Sequence, residues 1–261
     1  MRILYFSRDY TSHDYRFLSA LAKTGHEIYY LRLERRGHTL EDRSLPPEVS
    51  QVHWAGGNAP AGWRDGPRLL ASLKKVIRQV RPDLIQAGPI QTAAFLVALS
   101  GYRPLVSMSW GYDLLKDAGR SRLWGWATRF TLKRSAAFVG DCDTIRRRAV
   151  SFGMREGGIV TFPWGVDLSH FTPQDPVSED PPGPVTLLST RGWEPIYGVD
   201  VIARAFASAA VHQANCGGPE LRLIMLGNGS QAGLLRQIFT QGGVIDQVSF
   251  PGQVGYSDLP R

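Results

Sequence analysis

The chain has 261 residues, 43% hydrophobic and 20% charged, and a formal net charge of +7. That balance excludes a disordered chain, and the lack of an apolar run of about 18 residues excludes a membrane-spanning helix. Cys142 and Cys216 stand far apart and fit reduced thiols in a cytoplasm, and the opening residues 1–6 are too short for a signal peptide.

Residues 2–6 predict a first strand, followed by a polar loop over 7–14. Tyr15, Phe17, Leu18, Leu21 and Ala22 recur at helical spacing, and Gly25 stops that helix before a second strand over 26–31. This is the first turn of a βαβ winding. No G-x-G-x-x-G cradle follows the first strand, so a dinucleotide pocket is not expected there. The loop is nonetheless the expected ligand edge of such a sheet. Arg8, Asp9, Tyr10 and His13 are its candidate ligand contacts, set against a reading as plain loop residues.

Residues 56–66 are loop-like, and 69–80 predict a helix with Lys74, Lys75, Arg78 and Arg81 on its wet side. A strand over 83–87 leads to a mostly apolar, buried helix over 91–99. The next strand, 104–110, opens into Gly111, Tyr112 and Asp113. Asp113 stands where it can act as the N-cap of the helix that follows. That helix, 114–135, interleaves Lys116, Arg120, Arg122, Arg129, Lys133 and Arg134 with Leu123, Trp124, Trp126, Phe130 and Leu132. Basic residues among tryptophans fit peripheral membrane contact through 116–134, or a packed surface helix. A strand over 136–140 and a helix from Asp141 to Gly153 follow. Three adjacent arginines there, Arg146, Arg147 and Arg148, point different ways on one turn and read as solvated.

The run 158–162 is a short buried strand ended by Pro163, and Gly165 lets the backbone turn sharply. The proline-dense window 174–184 reads as a linker, against a simple strand–loop junction inside one domain. Charge supports two domains, 1–173 and 185–261. Through Gln174 there are 25 Lys and Arg against 15 Asp and Glu, and afterwards 5 against 8. A basic first domain faces something anionic, but no helix-turn-helix or aromatic platform supports nucleic acid. Strands over 184–190, 221–226 and 248–254 with helices over 199–210 and 232–239 complete the second domain. Gly227 and Gly229 around Asn228 let backbone amides approach a phosphate at a helix start.

The segment Thr161-Phe162-Pro163-Trp164-Gly165-Val166-Asp167, with Phe171 and Pro173, resembles the Pro-Asn-Gly-Val-Asp…Phe-x-Pro element of family 4 glycosyltransferases. That resemblance implies the GT-B fold: α/β, two Rossmann-like parallel-sheet domains around a donor cleft, an acceptor-side domain followed by a nucleotide-sugar domain. Trp110-Gly111-Tyr112-Asp113 is similar to the family's His-Gly-x-Asp element, which implies sugar or acceptor contact by Trp110 and Asp113. A tryptophan in place of the histidine can stack on a sugar but cannot carry a proton. Arg191, Glu194, Tyr197 and Gly198 resemble the family's Gly-Arg…Lys-Gly donor element, with Arg191 matching the arginine and Tyr197 replacing the lysine. Gly227, Asn228 and Gly229, then Gln253 and Val254 of a Val-x-Phe-x-Gly-x-Val-like run, complete the implied donor site. Arg8, Asp9, Tyr10 and His13 fall on its acceptor side.

The resemblance implies a retaining, metal-independent transfer of a hexose from a nucleoside-diphosphate sugar to a hydroxyl acceptor, glycan or lipid-linked, with no cofactor. It implies action in the cytoplasm or on the inner face of the membrane. The family continues beyond this point with a Glu-x(7)-Glu helix, so the second domain is expected to be incomplete, the chain truncated and the activity weak. Two alternatives remain: a non-catalytic nucleotide- or acceptor-binding remnant, and a GT-B sugar-nucleotide epimerase.

Overall fold

The computed structural model describes residues 1–35, 41–173 and 183–259. The chain divides into two compact units, Met1–Gly165 and Val166–Arg261. The expected boundary at 173 lies a few residues further on, and the expected linker 174–184 lies outside the described residues except for Gly183 and Pro184.

The first unit is a parallel sheet of β1 (Arg2–Ser7), β2 (Glu27–Arg32), β3 (Val49–Gln51), β4 (Leu84–Gly88), β5 (Leu105–Met108), β6 (Ala137–Gly140) and β7 (Ile159–Thr161). Its order is β3-β2-β1-β4-β5-β6-β7, the Rossmann order with one more strand. β1 is central, with Leu4 paired to Tyr29 on one side and to Ile85 on the other. Alternate residues leave a parallel strand on opposite faces, and both faces must be covered. Leu4 and Phe6 face α2 (Gly66–Val80) and α3 (Ala93–Ser100), where Leu69, Leu73, Val76 and Val97 are buried with them. Ile3 and Tyr5 face Leu18 of α1 (Ser12–Ala22).

Two expectations for this unit are corrected. The helix α1 begins at Ser12 because Thr11 caps it: Thr11 Oγ1 accepts from the Asp14 amide while the Asp14 carboxylate accepts from the Thr11 amide. His13 is therefore a helix residue. The single helix expected over 114–135 is broken into α4 (Tyr112–Leu115), a 3-10 turn at Asp117–Gly119 and α5 (Arg122–Arg134). Ser121 caps α5 by accepting from the Trp124 amide. After it, α6 (Asp143–Ser151) leads into β7.

The second unit is a three-stranded parallel sheet ordered β10-β9-β8, from β8 (Val185–Ser189), β9 (Leu221–Leu226) and β10 (Val248–Gly252). α7 (Val199–Asn215), longer than expected, and α8 (Ala232–Gln241) bury Phe206, Ala210, Leu235 and Phe239 against Leu223 and Met225. Val185, Leu187 and Leu188 of β8 remain exposed. Among the described residues no helix is long and apolar enough to cross a membrane.

Candidate functional site

In an open parallel sheet the loops at the carboxyl ends of the strands form the ligand edge. In the first unit β1 ends between β2 and β4, and β5, β6 and β7 follow in order beyond β4. Gly88 permits this packing, since a Cβ there would lie 2.4 Å from the Met108 carbonyl oxygen. The four acceptor-side candidates from the β1 loop do not converge. Arg8 donates from Nε to Glu34 Oε1 at 2.5 Å and lines a groove of about 680 Å³ walled by Trp63, Phe95 and Trp124. Asp9 and Tyr10 turn the other way, into a pocket of about 330 Å³ with Arg32 and Arg43. There Asp9 Oδ1 accepts from the Tyr10 amide at 2.7 Å and lies 3.9 Å from Arg32. His13 points to neither. One turn of helix sends it elsewhere, which a loop reading could not anticipate.

His13 joins an aromatic cluster built from three separate segments. Its ring is stacked on Trp110, after β5, with centroids 5.2 Å apart at 21°. Trp164, after β7, lies 5.9 Å from Trp110 and 5.2 Å from Phe17, and Phe162 closes on Trp164 at 5.4 Å. The two tryptophans that depart from the family pattern therefore meet each other. An Arg16 Nη2 lies 2.7 Å from His13 Nδ1. A guanidinium can only donate, so Nδ1 accepts and the imidazole proton sits on Nε2. Burial, then the Arg16 charge, holds His13 below the usual imidazole range, opposed by Asp141.

Asp113 is corrected on both readings. Gly111, not Asp113, caps α4. Its carboxylate has no exposed surface and accepts from Ser109 Oγ at 2.6 Å, the Ile90 amide at 3.0 Å and the Trp110 amide at 3.1 Å. These bonds fix the loop that carries Trp110 and leave no carboxylate surface for a sugar. Burial pushes its carboxyl up to about 6, against those hydrogen bonds.

In the second unit the donor candidates stand at the carboxyl ends of β8, β9 and β10. Arg191 and Tyr197 are exposed, and no ion pair engages Arg191 among the described residues. Gly198, at φ +62°, starts α7. The first two loops are sewn together: the Trp193 amide donates to the Asn228 carbonyl at 2.9 Å and the Trp193 indole to that of Leu226 at 2.9 Å. A Cβ on Gly229 would meet the Trp193 carbonyl oxygen at 2.4 Å, so only glycine fits. Gln253 is exposed and Val254 half-buried after β10.

Three of the amides in the loop expected to receive a phosphate are already bonded. The Gly227 amide donates to the Gly252 carbonyl at 2.7 Å, the Gly229 amide to Asn228 Oδ1 at 2.7 Å and the Ser230 amide to Glu194 Oε1 at 3.0 Å. Glu194 thus occupies the start of α8 with its own negative charge. Sequence reasoning also passed over His170 and Tyr256, which stack at 4.7 Å and 13°, with His170 Nε2 at 3.0 Å from the Tyr256 carbonyl. Phe171 packs edge-on against Tyr256 at 5.5 Å. No local motif pairs residues so far apart in sequence. Among the described residues no three His, Cys, Asp or Glu side chains gather to hold a metal.

Residues 12–170 match Glycosyltransferase Family 4. No curated protein matches the sequence. Among solved structures, the chain is similar to HepE of Anabaena in complex with UDP and glucose (16% identity, TM-score 0.68), over 98% of this chain and 70% of that one. It is also similar to sucrose-phosphate synthase of Thermosynechococcus elongatus (14% identity, TM-score 0.71), over 100% and 72%. A third likeness, to the UDP-GlcNAc 2-epimerase of Methanocaldococcus jannaschii (12% identity, TM-score 0.57), covers 100% and 75%. The two parallel sheets are those of a GT-B architecture.

Proposed function

The chain belongs to glycosyltransferase family 4 and is a glycosyltransferase; on that premise we propose that it moves a hexose from a nucleoside-diphosphate sugar to a hydroxyl of a glycan or lipid-linked acceptor. The observation that carries the donor half is Arg191, exposed at the carboxyl end of β8 and unclaimed by any carboxylate among the described residues. A guanidinium suits a diphosphate because its fork donates two parallel bonds, and positive charge there stabilises the departing nucleotide. Leaving-group stabilisation by arginine needs no metal or further cofactor, and it is compatible with retention at the sugar. UDP is the first nucleotide to try, since the similar HepE was solved with UDP and glucose.

On the acceptor side, the stacked His13–Trp110 pair and Trp164 offer an apolar floor suited to the C–H face of a sugar. A lipid-linked acceptor would also suit the basic first unit, with peripheral contact through 116–134 on the cytoplasmic side of a membrane. Glu194 over Ser230 favours a second reading, a chain that binds acceptor without transferring a sugar, because that carboxylate opposes a diphosphate at the start of α8. An epimerase is less well supported: it needs a set of carboxylates beside its histidine, and with Asp113 consumed by the Trp110 loop the carboxylate acting on His13 is that of Asp141 alone among the described residues.

Calorimetric titration with UDP, GDP and ADP tests the donor half. One nucleotide binding, and weakened about tenfold or more in Arg191→Ala, is expected for loss of a charge-assisted pair. No heat from any nucleotide, with a folded protein, would overturn the donor assignment in favour of the second reading.

A further inference from the structure

The groove that Arg8 lines has a volume of about 680 Å³, within the range of small-molecule sites. It lies wholly in the first unit, apart from the His13 cluster. Its floor is Leu33 after β2, Leu69 of α2 and Leu96 of α3, all buried. Its walls are aromatic. Trp63 meets Phe95 edge-on at 6.2 Å and Trp124 edge-on at 5.7 Å. Trp63 is nevertheless 54% exposed. The Trp54 and Trp193 indoles each donate to a backbone carbonyl. Among the described residues the Trp63 and Trp124 indoles have no such acceptor, so their N–H groups are free to donate to a ligand.

The two ends of the groove differ in chemistry. Arg8 and Thr92 follow β1 and β4, so one end lies at the ligand edge of the sheet. Leu99, in the last turn of α3, lines the groove about 10 Å further along that helix. Glu34 fixes Arg8 from behind, with its second oxygen accepting from the Ala61 amide at 2.9 Å. Arg120 is exposed, stands 5.3 Å over the Trp124 ring, and meets no carboxylate in an ion pair among the described residues. Asp117 shares the groove with it. Arg64 and Arg122, exposed beside the Trp63 and Trp124 walls and likewise without an ion pair among the described residues, keep the surroundings basic.

An apolar trough with cations at one end suits a ligand that has a hydrocarbon chain and an anionic head. Free phosphate would leave the aromatic walls uncovered, and a bare sugar would leave the Leu99 end empty. We propose that this groove binds a lipid phosphate, its chain along Trp63, Phe95 and Leu99 and its phosphate toward Arg120 and Arg8. This rests on the lipid-linked form of the proposed acceptor and gives it a site, with the head group at the ligand edge of the sheet.

The test uses the whole chain. Farnesyl phosphate, farnesol and inorganic phosphate are titrated calorimetrically into wild type, Trp63→Ala, Leu99→Glu and Arg120→Ala, with the Tm of each variant recorded alongside. Farnesyl phosphate is expected to bind, farnesol more weakly, and inorganic phosphate not at all. Trp63→Ala and Leu99→Glu should weaken both farnesyl compounds about tenfold or more, by removing an aromatic wall and by placing a charge against the chain. Arg120→Ala should weaken farnesyl phosphate about threefold to fivefold, as for an exposed charge pair, and leave farnesol unchanged.

No heat from farnesyl phosphate with folded wild type would overturn the inference. Equal binding by wild type and the two groove variants would overturn it too, since the chain would then lie elsewhere. Inorganic phosphate binding as tightly as farnesyl phosphate would make this an anion site only. A dimer in ultracentrifugation that Trp63→Ala dissociates, without lipid binding, would assign the groove to a second copy of the chain instead. Nucleotide titration reads the donor half separately. A chain that binds UDP but no farnesyl phosphate keeps its donor assignment and loses this one, and the reverse result keeps the groove and loses the donor.

Discussion

Glu194 grips Ser230 with both carboxylate oxygens, Oε1 on the amide at 3.0 Å and Oε2 on the hydroxyl at 2.5 Å. These bonds hold the Glu194 carboxyl below its ordinary range, so it stays ionised at neutral pH. A helix N-terminus attracts an anion, and here a side chain already supplies one. Glu194→Ala should therefore raise the affinity for UDP about twofold to fivefold, as expected for removing a like charge from beside a helix end. Isothermal titration decides the sign. A weaker complex would mean that Glu194 contacts the ligand itself.

Asp113 ties Ile90, Ser109 and Trp110 together through three donors. Asparagine at this position presents one accepting oxygen and an amide group that faces donors. Asp113→Asn should cost about 1–3 kcal/mol, or roughly 2–10 °C in Tm for a unit of this size. Differential scanning calorimetry would show it. A Tm equal to wild type would mean that the Trp110 loop does not depend on this carboxylate.

Asp14 is buried in the same manner, accepting from Tyr5 Oη at 2.9 Å and from the Thr11 amide at 2.9 Å. Burial pushes the carboxyls of Asp14 and Asp113 each up to about 6, above an unfolded value near 3.8. A carboxyl raised on folding contributes stability that is present below about pH 4 and lost as pH rises through about 6. Asparagine does not titrate. The stability difference between wild type and Asp14→Asn should therefore be larger at pH 4 than at pH 7, by roughly 2–3 kcal/mol for a shift of about two units. Urea unfolding midpoints at the two pH values measure it, and a difference that grew with pH would reverse the sign.

The stacking of His13 on Trp110 joins α1 to the loop after β5. A double-mutant cycle with His13→Ala and Trp110→Ala, read by urea unfolding, should give a coupling of about 0.5–1.5 kcal/mol. Additive effects would mean that the two rings merely lie near each other.

Leu123 and Trp126 of α5 are 53% and 48% exposed among basic residues. If this helix rests on a bilayer, the chain should co-sediment with vesicles containing phosphatidylglycerol and less with neutral ones. Leu123→Ala with Trp126→Ala should weaken that binding severalfold, at about 25 cal/mol per Å² of apolar surface. Equal sedimentation of wild type and variant would remove this helix from any membrane contact.

Much of the architecture was legible in the sequence because it rests on local periodicity. Strands such as 2–6 and 221–226 and helices such as 69–80 appear where alternation and helical spacing place them. Apolar side chains at those spacings have few other ways to be buried. The error over 114–135 has an equally local cause. A basic, tryptophan-rich stretch keeps a helical composition throughout, while the break near Gly119 depends on the turn that packs Ala118 into the core.

The candidate site was legible only as a set of residue types. The sequence by itself determined that Trp110 and Trp164 replace a histidine and an asparagine, that Arg191 stands in a donor-like loop, and that glycines surround Asn228. Only the tertiary structure decided that the two tryptophans meet over His13, that Asp113 is spent on the Trp110 loop, and that Glu194 covers the start of α8. Asp141 shows the difference most plainly, since as a sequence residue it is one more polar group before a helix. What sets it apart is an oxygen buried without a donor beside a histidine more than a hundred residues away. Burial and hydrogen-bond satisfaction depend on neighbours supplied by other strands, so no local pattern can contain them.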